Sequence, residues 1–253
     1  MTAKNVLITG GTSGLGKHMG LAFAKAGYNV ILTYCWGSAD KSLLLKEFTS
    51  KGYPEPRLMC ADVSDNESTK ELMKEIKKEY EAIDVFVSNV SFAQLVNNID
   101  DLNRASLHLT INYCAWPLVD YTQEIKNFFG AYPKYVIGIS SDASHVCHPN
   151  YILSGCSKAV LDTLIRYLAQ FLGPQGTHVN GISPGFFDTP SSRASLGDEL
   201  VDRINQTMIP LDCDKIANLA VALSSGLMDI VNGEIITADE GNSHVSPSAF
   251  LKM

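Results

Sequence analysis

No run of Lys or Arg in this chain is long enough to track a phosphate backbone, and the net charge is -7 with a pI near 5.3. Nucleic acid is therefore not an expected partner. No charged N-terminal region leads into a signal-length apolar stretch, and no window approaches a membrane span, which predicts a cytoplasmic protein with no membrane partner. The six cysteines (Cys35, Cys60, Cys114, Cys147, Cys156, Cys213) include no Cys-x-x-Cys pair. A chain this long needs no disulfide staples, so they are expected to be reduced, mostly as packing residues. No internal repeat, low-complexity tract or Pro/Ser-rich linker divides the chain. With 45% hydrophobic residues among 253, one continuous core and a single domain over 1–253 are expected.

What is present is a regular alternation. Short β-branched runs alternate with longer segments of helical period, the pattern of βαβ units around a buried parallel sheet, hence an α/β fold. Strands are expected at 5–9, 28–34, 57–60, 84–87, 135–140, 177–182 and 234–237, with the first helix over about 15–26. Residues 186–209 (FFDTPSSRASLGDELVDRINQTMI) carry Pro, paired Ser and Gly after a strand end. They read as a flap over a site.

Directly after the first strand comes Thr9-Gly10-Gly11-Thr12-Ser13-Gly14-Leu15-Gly16. Glycines permit a tight turn and close backbone approach, and the following helix N-terminus offers free N–H groups to a pyrophosphate. A dinucleotide is the expected ligand. Its form is less constrained: an acid at the end of strand two would select NAD, whereas Thr33-Tyr34-Cys35-Trp36 is neutral, which leans toward NADP(H) over NAD(H). Lys17 and Lys41 are the cations that could approach a ribose phosphate, though each also reads as a solvated helix charge.

This TG-x3-G-x-G wording resembles the short-chain dehydrogenase/reductase family, and further marks follow in order along nearly the whole chain. The resemblance implies a doubly wound, Rossmann-type parallel sheet and nicotinamide chemistry. It implies cofactor contacts from Gly10, Thr12, Ser13, Gly14, Leu15 and Gly16, an adenine contact from Asp62 and Val63, and one from Asn89, although the turn is SNVS rather than NNAG. Asn112 is similar to the Asn that holds a proton-relay water, and Ser141 to the active-site Ser. Pro184, Gly185 and Thr189 match PG-x3-T at the nicotinamide, and Asp239-Glu240-Gly241 resembles the closing DGG with Glu240 replacing a glycine. Packing of helices at 113–128 and 151–172 into a homotetramer or homodimer is what the family implies for assembly.

The stretch PNYILSGCSK departs from the commonest family pattern. Where Y-x3-K would put the acid, position 154 is Ser, and a serine hydroxyl cannot replace a phenol whose pKa of about 10 can be lowered by an ammonium. Tyr151 precedes Lys158 by seven residues. At about 3.6 residues per turn that leaves both on one helix face with Ser154 between. This Y-x6-K spacing and the following text resemble enoyl-acyl-carrier-protein reductases, most of all the type III, NADPH-using group. In enoyl thioester reduction hydride goes to the β-carbon and charge develops on the more distant thioester oxygen, which a displaced Tyr can reach. The resemblance gives Tyr151 the role of donor to the enolate oxygen and Lys158 that of holding the nicotinamide ribose. Ser154 is left as a bystander, and Ser141 either orients the thioester or caps a turn.

His145-Val146-Cys147-His148 has ligand-type residues at a spacing that fits no closed zinc site, so no metal is expected and the segment is read as cleft lining. Ser141 and Asp142 beside these histidines lack a G-x-S-x-G elbow. Three functions remain open. The first is an NAD(P)H-dependent reductase of an α,β-unsaturated acyl thioester, free or on an acyl carrier protein. The second is a carbonyl reductase of the same fold. The third is a non-redox isomerase, cyclase or binding protein on the same scaffold.

Overall fold

The inner strands form where apolar residues run nearly without interruption, because a parallel sheet covered on both faces buries their side chains on each side. The computed structural model describes residues 3–36, 39–92, 94–189, 192–193, 197–207 and 211–244. It contains β1 (Asn5–Ile8), β2 (Asn29–Tyr34), β3 (Arg57–Cys60), β4 (Val85–Ser88), β5 (Tyr135–Ile139), β6 (His178–Pro184) and β7 (Ile235–Ala238). Successive strand residues point to opposite faces. Val6 and Ile8 thus enter one core with Met19, Phe23 and Leu32, while Leu7 enters the other with Ile31, Phe86 and Tyr121.

All pairings are parallel and the order is β3-β2-β1-β4-β5-β6-β7. The order reverses between β1 and β4, and the crevice outside the carboxyl ends at such a switch point is where ligands lodge. The doubly wound α/β architecture is thus present. Strand boundaries fall within two residues of expectation, the largest difference being at β6, which runs on to Pro184.

The helices are α1 (Gly14–Lys25), α2 (Lys41–Ser50), α3 (Asn66–Lys77), α4 (Arg104–Cys114), α5 (Pro117–Phe129), α6 (Ile152–Leu172), α7 (Asp198–Thr207) and α8 (Cys213–Leu223). Four begin with a side chain that accepts from the first-turn amides: Asp40, Asp65, Asn103 and Asp212. Such caps satisfy otherwise orphaned N–H groups. α1 differs. Its N-cap Ser13 makes no side-chain cap bond and its first turn holds no acid.

Two expectations are corrected. The segment 113–128 is not one helix: Pro117, whose missing N–H suits a first helical position, starts α5 after α4 has ended. The cysteines are free but are not mostly packing residues, since Cys35, Cys60, Cys147 and Cys156 are exposed and Cys114 alone is buried. In the expected flap, residues 190–191, 194–196 and 208–209 lie outside the described residues, as do the side chains of Leu200 and Thr207. α7 fills much of the remainder. No helix among the described residues is long and apolar enough to cross a membrane.

Candidate active site and nucleotide cleft

The turn after β1 is closed by backbone sterics. Gly10 and Gly14 take left-handed φ of 62° and 51°, which residues with a Cβ resist. At Gly16 a Cβ would stand 2.3 Å from the Gly10 carbonyl and 2.7 Å from Asn89 Nδ2. Asn89 Nδ2 donates to the Thr9 carbonyl at 2.9 Å and the Gly10 carbonyl at 3.2 Å, and its N–H donates to Thr9 Oγ1 at 3.0 Å. Asn89 therefore staples the end of β4 to the glycine turn. Thr12 and Leu15 are buried beneath the turn and Ser13 is exposed on it. Thr189 Cγ2 lies 3.6 Å from where a Gly14 Cβ would be, so the segment after Pro184-Gly185 crosses the turn.

Beside it lies a cavity of about 150 Å³, bounded by Gly10, Thr33, Trp36, Asp62, Val63 and Tyr113 among others. Asp62 Oδ1 accepts from the Ser64 N–H and hydroxyl, and Oδ2 from the Tyr113 hydroxyl at 3.2 Å. The rings of Trp36 and Phe92 flank Tyr113, with centroids 5.2 and 5.5 Å away. Thr33 Oγ1 is buried with no hydrogen-bond partner among the described residues. Lys41 Nζ rests 3.7 Å above the centre of the Tyr34 ring, whereas Lys17 is engaged by Glu47 at 3.0 Å. The uncapped α1 terminus offers amides to a pyrophosphate, and the cavity offers aromatic surface and an unspent hydroxyl. These residues fit a dinucleotide.

The second half of the site is built from the end of β5 and the start of α6. Ser141 begins a short 3-10 turn over Asp142–Ser144; its hydroxyl accepts from the Ala143 N–H at 3.2 Å and donates to Asp142 Oδ1 at 3.1 Å. The other oxygen of Asp142 binds exposed His148 through Nε2 at 3.1 Å. His145 is likewise exposed and bonds Ser144, so these histidines engage the loop's own residues. α6 sits tightly on this turn: a Cβ at Gly155 would stand 2.8 Å from the Ala143 carbonyl.

Lys158 is 4% exposed and donates to the Ile139 carbonyl at 2.7 Å. Burial pushes its pKa down, with Cys114 and Asp162 acting against the fall. Tyr151 is the N-cap residue of α6 and is half-buried. Its phenol is pushed up by burial; the Ser154 hydroxyl beside it opposes the rise, while Cys114 and Asp142 add to it. Ser154 Oγ itself is buried and completes no hydrogen bond of ordinary geometry. Asn112 lies exposed on α4.

Cys114 is the residue that the sequence did not single out. Its thiol accepts from the Phe92 N–H at 3.1 Å and donates to the Phe92 carbonyl at 3.3 Å. It thereby fixes the turn in which SNVS replaces NNAG, and it lies electrostatically close to both Lys158 and Tyr151. Only the departure at 88–91 hinted that such a brace was needed. The second departure is also accommodated: Glu240 takes the left-handed φ of 54° where a glycine would be at ease, and its carboxylate binds Lys215 at 2.7 Å. The carboxyl of Asp239 before it is held below the usual carboxylate range: burial pushes its pKa up, but hydrogen bonds from Ser243 and Gly241 more than offset this.

A family model described as enoyl-(acyl carrier protein) reductase matches residues 10–243. Among curated proteins, the chain is 24% identical over 250 residues to the NADH-designated enoyl-acyl-carrier-protein reductase FabI of Aquifex aeolicus, covering 95% of this chain and 92% of the relative. It is 27% identical over 254 residues to the 3-oxoacyl-acyl-carrier-protein reductase FabG of Staphylococcus aureus, covering 94% and 97%. Among solved structures, a gluconate 5-dehydrogenase from Burkholderia cenocepacia in complex with NADP and tartrate superposes with a TM-score of 0.83 at 20% identity, over 97% of both chains. That last likeness concerns the fold.

Proposed function

Because the chain belongs to the short-chain dehydrogenase/reductase family of nicotinamide-dependent oxidoreductases, we propose that it reduces an α,β-unsaturated acyl thioester, free or on an acyl carrier protein. The observation that carries this reading is Tyr151. It stands at the head of α6, seven residues before Lys158, and burial pushes its phenol's pKa up. A ketone reductase of this family would need a phenol that gives up its proton beside the ammonium. An enolate oxygen needs only a hydrogen bond while its charge develops.

Bound nicotinamide would supply hydride to the β-carbon, and solvent the proton that the α-carbon of the resulting enolate takes up. The chain's own residues would do the rest. Gly10 to Gly16, Asp62 and Val63 would hold the dinucleotide, and Pro184, Gly185 and Thr189 would flank its nicotinamide end. Lys158 would keep the potential positive beneath the ribose, and Tyr151 would donate to the thioester oxygen. Ser141, committed to Asp142, would orient the acyl group rather than protonate it. NADPH is proposed over NADH because β2 ends without a carboxylate and Lys41 lies on the Tyr34 ring at the cavity's edge.

Oxidation of NADPH with crotonyl thioester, compared with acetoacetyl thioester, tests the reading. Turnover of the crotonyl substrate is expected, and Tyr151→Phe should lower it by about 10²–10³-fold while sparing NADPH affinity. Turnover of the acetoacetyl substrate alone would install the carbonyl reading instead, which the retained Ser141 and the FabG relative favour.

A further inference from the structure

Ser154 occupies the position at which a Y-x3-K helix would carry its tyrosine, yet the structure gives it more than filler character. It is 3% exposed, and its hydroxyl lies beside the Tyr151 phenol without completing a hydrogen bond of ordinary geometry to any described residue. Its backbone carbonyl accepts from Ser157 Oγ at 2.8 Å, so that neighbour's hydroxyl is already committed and does not relieve it. A buried hydroxyl left unpaired costs about 1–3 kcal/mol, and such orphans in native proteins call for an explanation. Helical geometry places Ser154 on the face shared by Tyr151 and Lys158. Lys158 is committed to the Ile139 carbonyl and Ser141 to Asp142. Among the described residues, Tyr151 and Ser154 remain on that face as neighbouring hydroxyls whose protons are committed to no hydrogen bond of ordinary geometry.

We propose that Ser154 is a catalytic residue, the second donor of a two-hydroxyl oxyanion site that it forms with Tyr151 for the substrate's developing oxygen charge. This rests on the enolate-stabilising reading above. Both groups would donate hydrogen bonds and keep their protons, so the site stabilises charge without consuming an acid. A donor that finds its partner only when an oxyanion forms is spent entirely on the transition state. The bystander role that the sequence leaves to Ser154 is thereby replaced.

The split between stability and turnover makes the test. Ser154→Ala removes an unsatisfied buried hydroxyl, so its Tm should hold or rise, whereas a structural serine would lose stability. Its kcat on crotonyl thioester should nevertheless drop by about 100-fold, with KM and NADPH affinity within about twofold. Ser154→Cys, close in shape but a poor donor, should behave like the alanine variant. A second readout needs no turnover: in the complex with NADP+, the ionised share of bound 4-nitrophenol, read by absorbance, should fall in both variants. A kcat within twofold of the parent, an unchanged nitrophenolate share, or a kcat loss matched by a fall in Tm would each overturn the proposal. If the parent reduces only the acetoacetyl thioester, the enoyl reading fails by itself. The same variants, compared on that substrate and on nitrophenolate, then decide the role of Ser154.

Discussion

The glycine turn after β1 and the start of α6 are both closely packed junctions, and they are closed by different means. At the turn, backbone meets backbone: Gly16 has no room for a Cβ, and a single side-chain amide, Asn89, ties two strands together. At α6, backbone contact through Gly155 only sets the distance, and side chains with unspent or committed hydrogen bonds set the chemistry. On the proposed reading, the first junction shapes a surface for a ligand and the second places donors around a reacting atom. Damage to the first should therefore appear as lost affinity and stability, and damage to the second as lost turnover.

The largest effect expected from this contrast is at Gly16. Gly16→Ala sets a methyl against the Gly10 carbonyl, and relief requires the turn to open. Overpacking of this kind costs about 1–3 kcal/mol, and NADPH affinity should fall with it in a titration followed by thermal shift. Gly155→Ala meets a carbonyl at 2.8 Å rather than 2.3 Å, so its stability loss should be smaller, about 1 kcal/mol. Its signature is different: lower kcat with cofactor affinity retained, because α6 is lifted from the turn that carries Ser141. Equal loss of affinity in both variants would break the comparison.

The two regions were also unequally legible. The glycines could be read from residue type, because a left-handed φ or an absent Cβ leaves few choices of residue, whereas Asp62 and Asn89 were legible only through the family resemblance. Tyr151 and Lys158 were legible through helical period, since seven residues return almost to the same face. Ser154 was not, because a buried hydroxyl differs from a satisfied one only through neighbours distant in sequence. Cys114 was hidden for the same reason: its partner Phe92 is 22 residues away. Pro117 was legible in principle as a helix start, and apolar periodicity running across it concealed the break.

Asn89→Ala should separate the two regions by a smaller margin. It removes two side-chain bonds to the Thr9 and Gly10 carbonyls, a loss of about 1–2 kcal/mol. Because the glycines remain, NADPH should still bind, more weakly, and saturated kcat should stay near the parent value. A kcat that collapses at saturating NADPH would show that the staple also controls the chemistry.

The smallest effect should come from a site that belongs to neither junction. Asp120 on α5 is 8% exposed, and Asn66 Nδ2 donates to it at 2.6 Å, with buried Glu124 close by. Burial pushes its pKa up; the Asn66 bond opposes this and Glu124 adds to it. A carboxyl whose folded pKa is raised favours the folded state while protonated. Its contribution is fully present below the unfolded pKa and is lost as pH rises through the higher folded value. At neutral pH the charge is therefore a burden, and Asp120→Asn, which keeps an acceptor for Asn66, should raise stability by under about 1 kcal/mol, roughly 2–4 °C in Tm at most. The gain over the parent should shrink as pH is lowered toward the carboxylate range, while NADPH affinity and kcat stay unchanged. A variant that altered either would mean that the α3–α5 packing reaches the cleft, and the division between a binding junction and a catalytic one would have to include a third region.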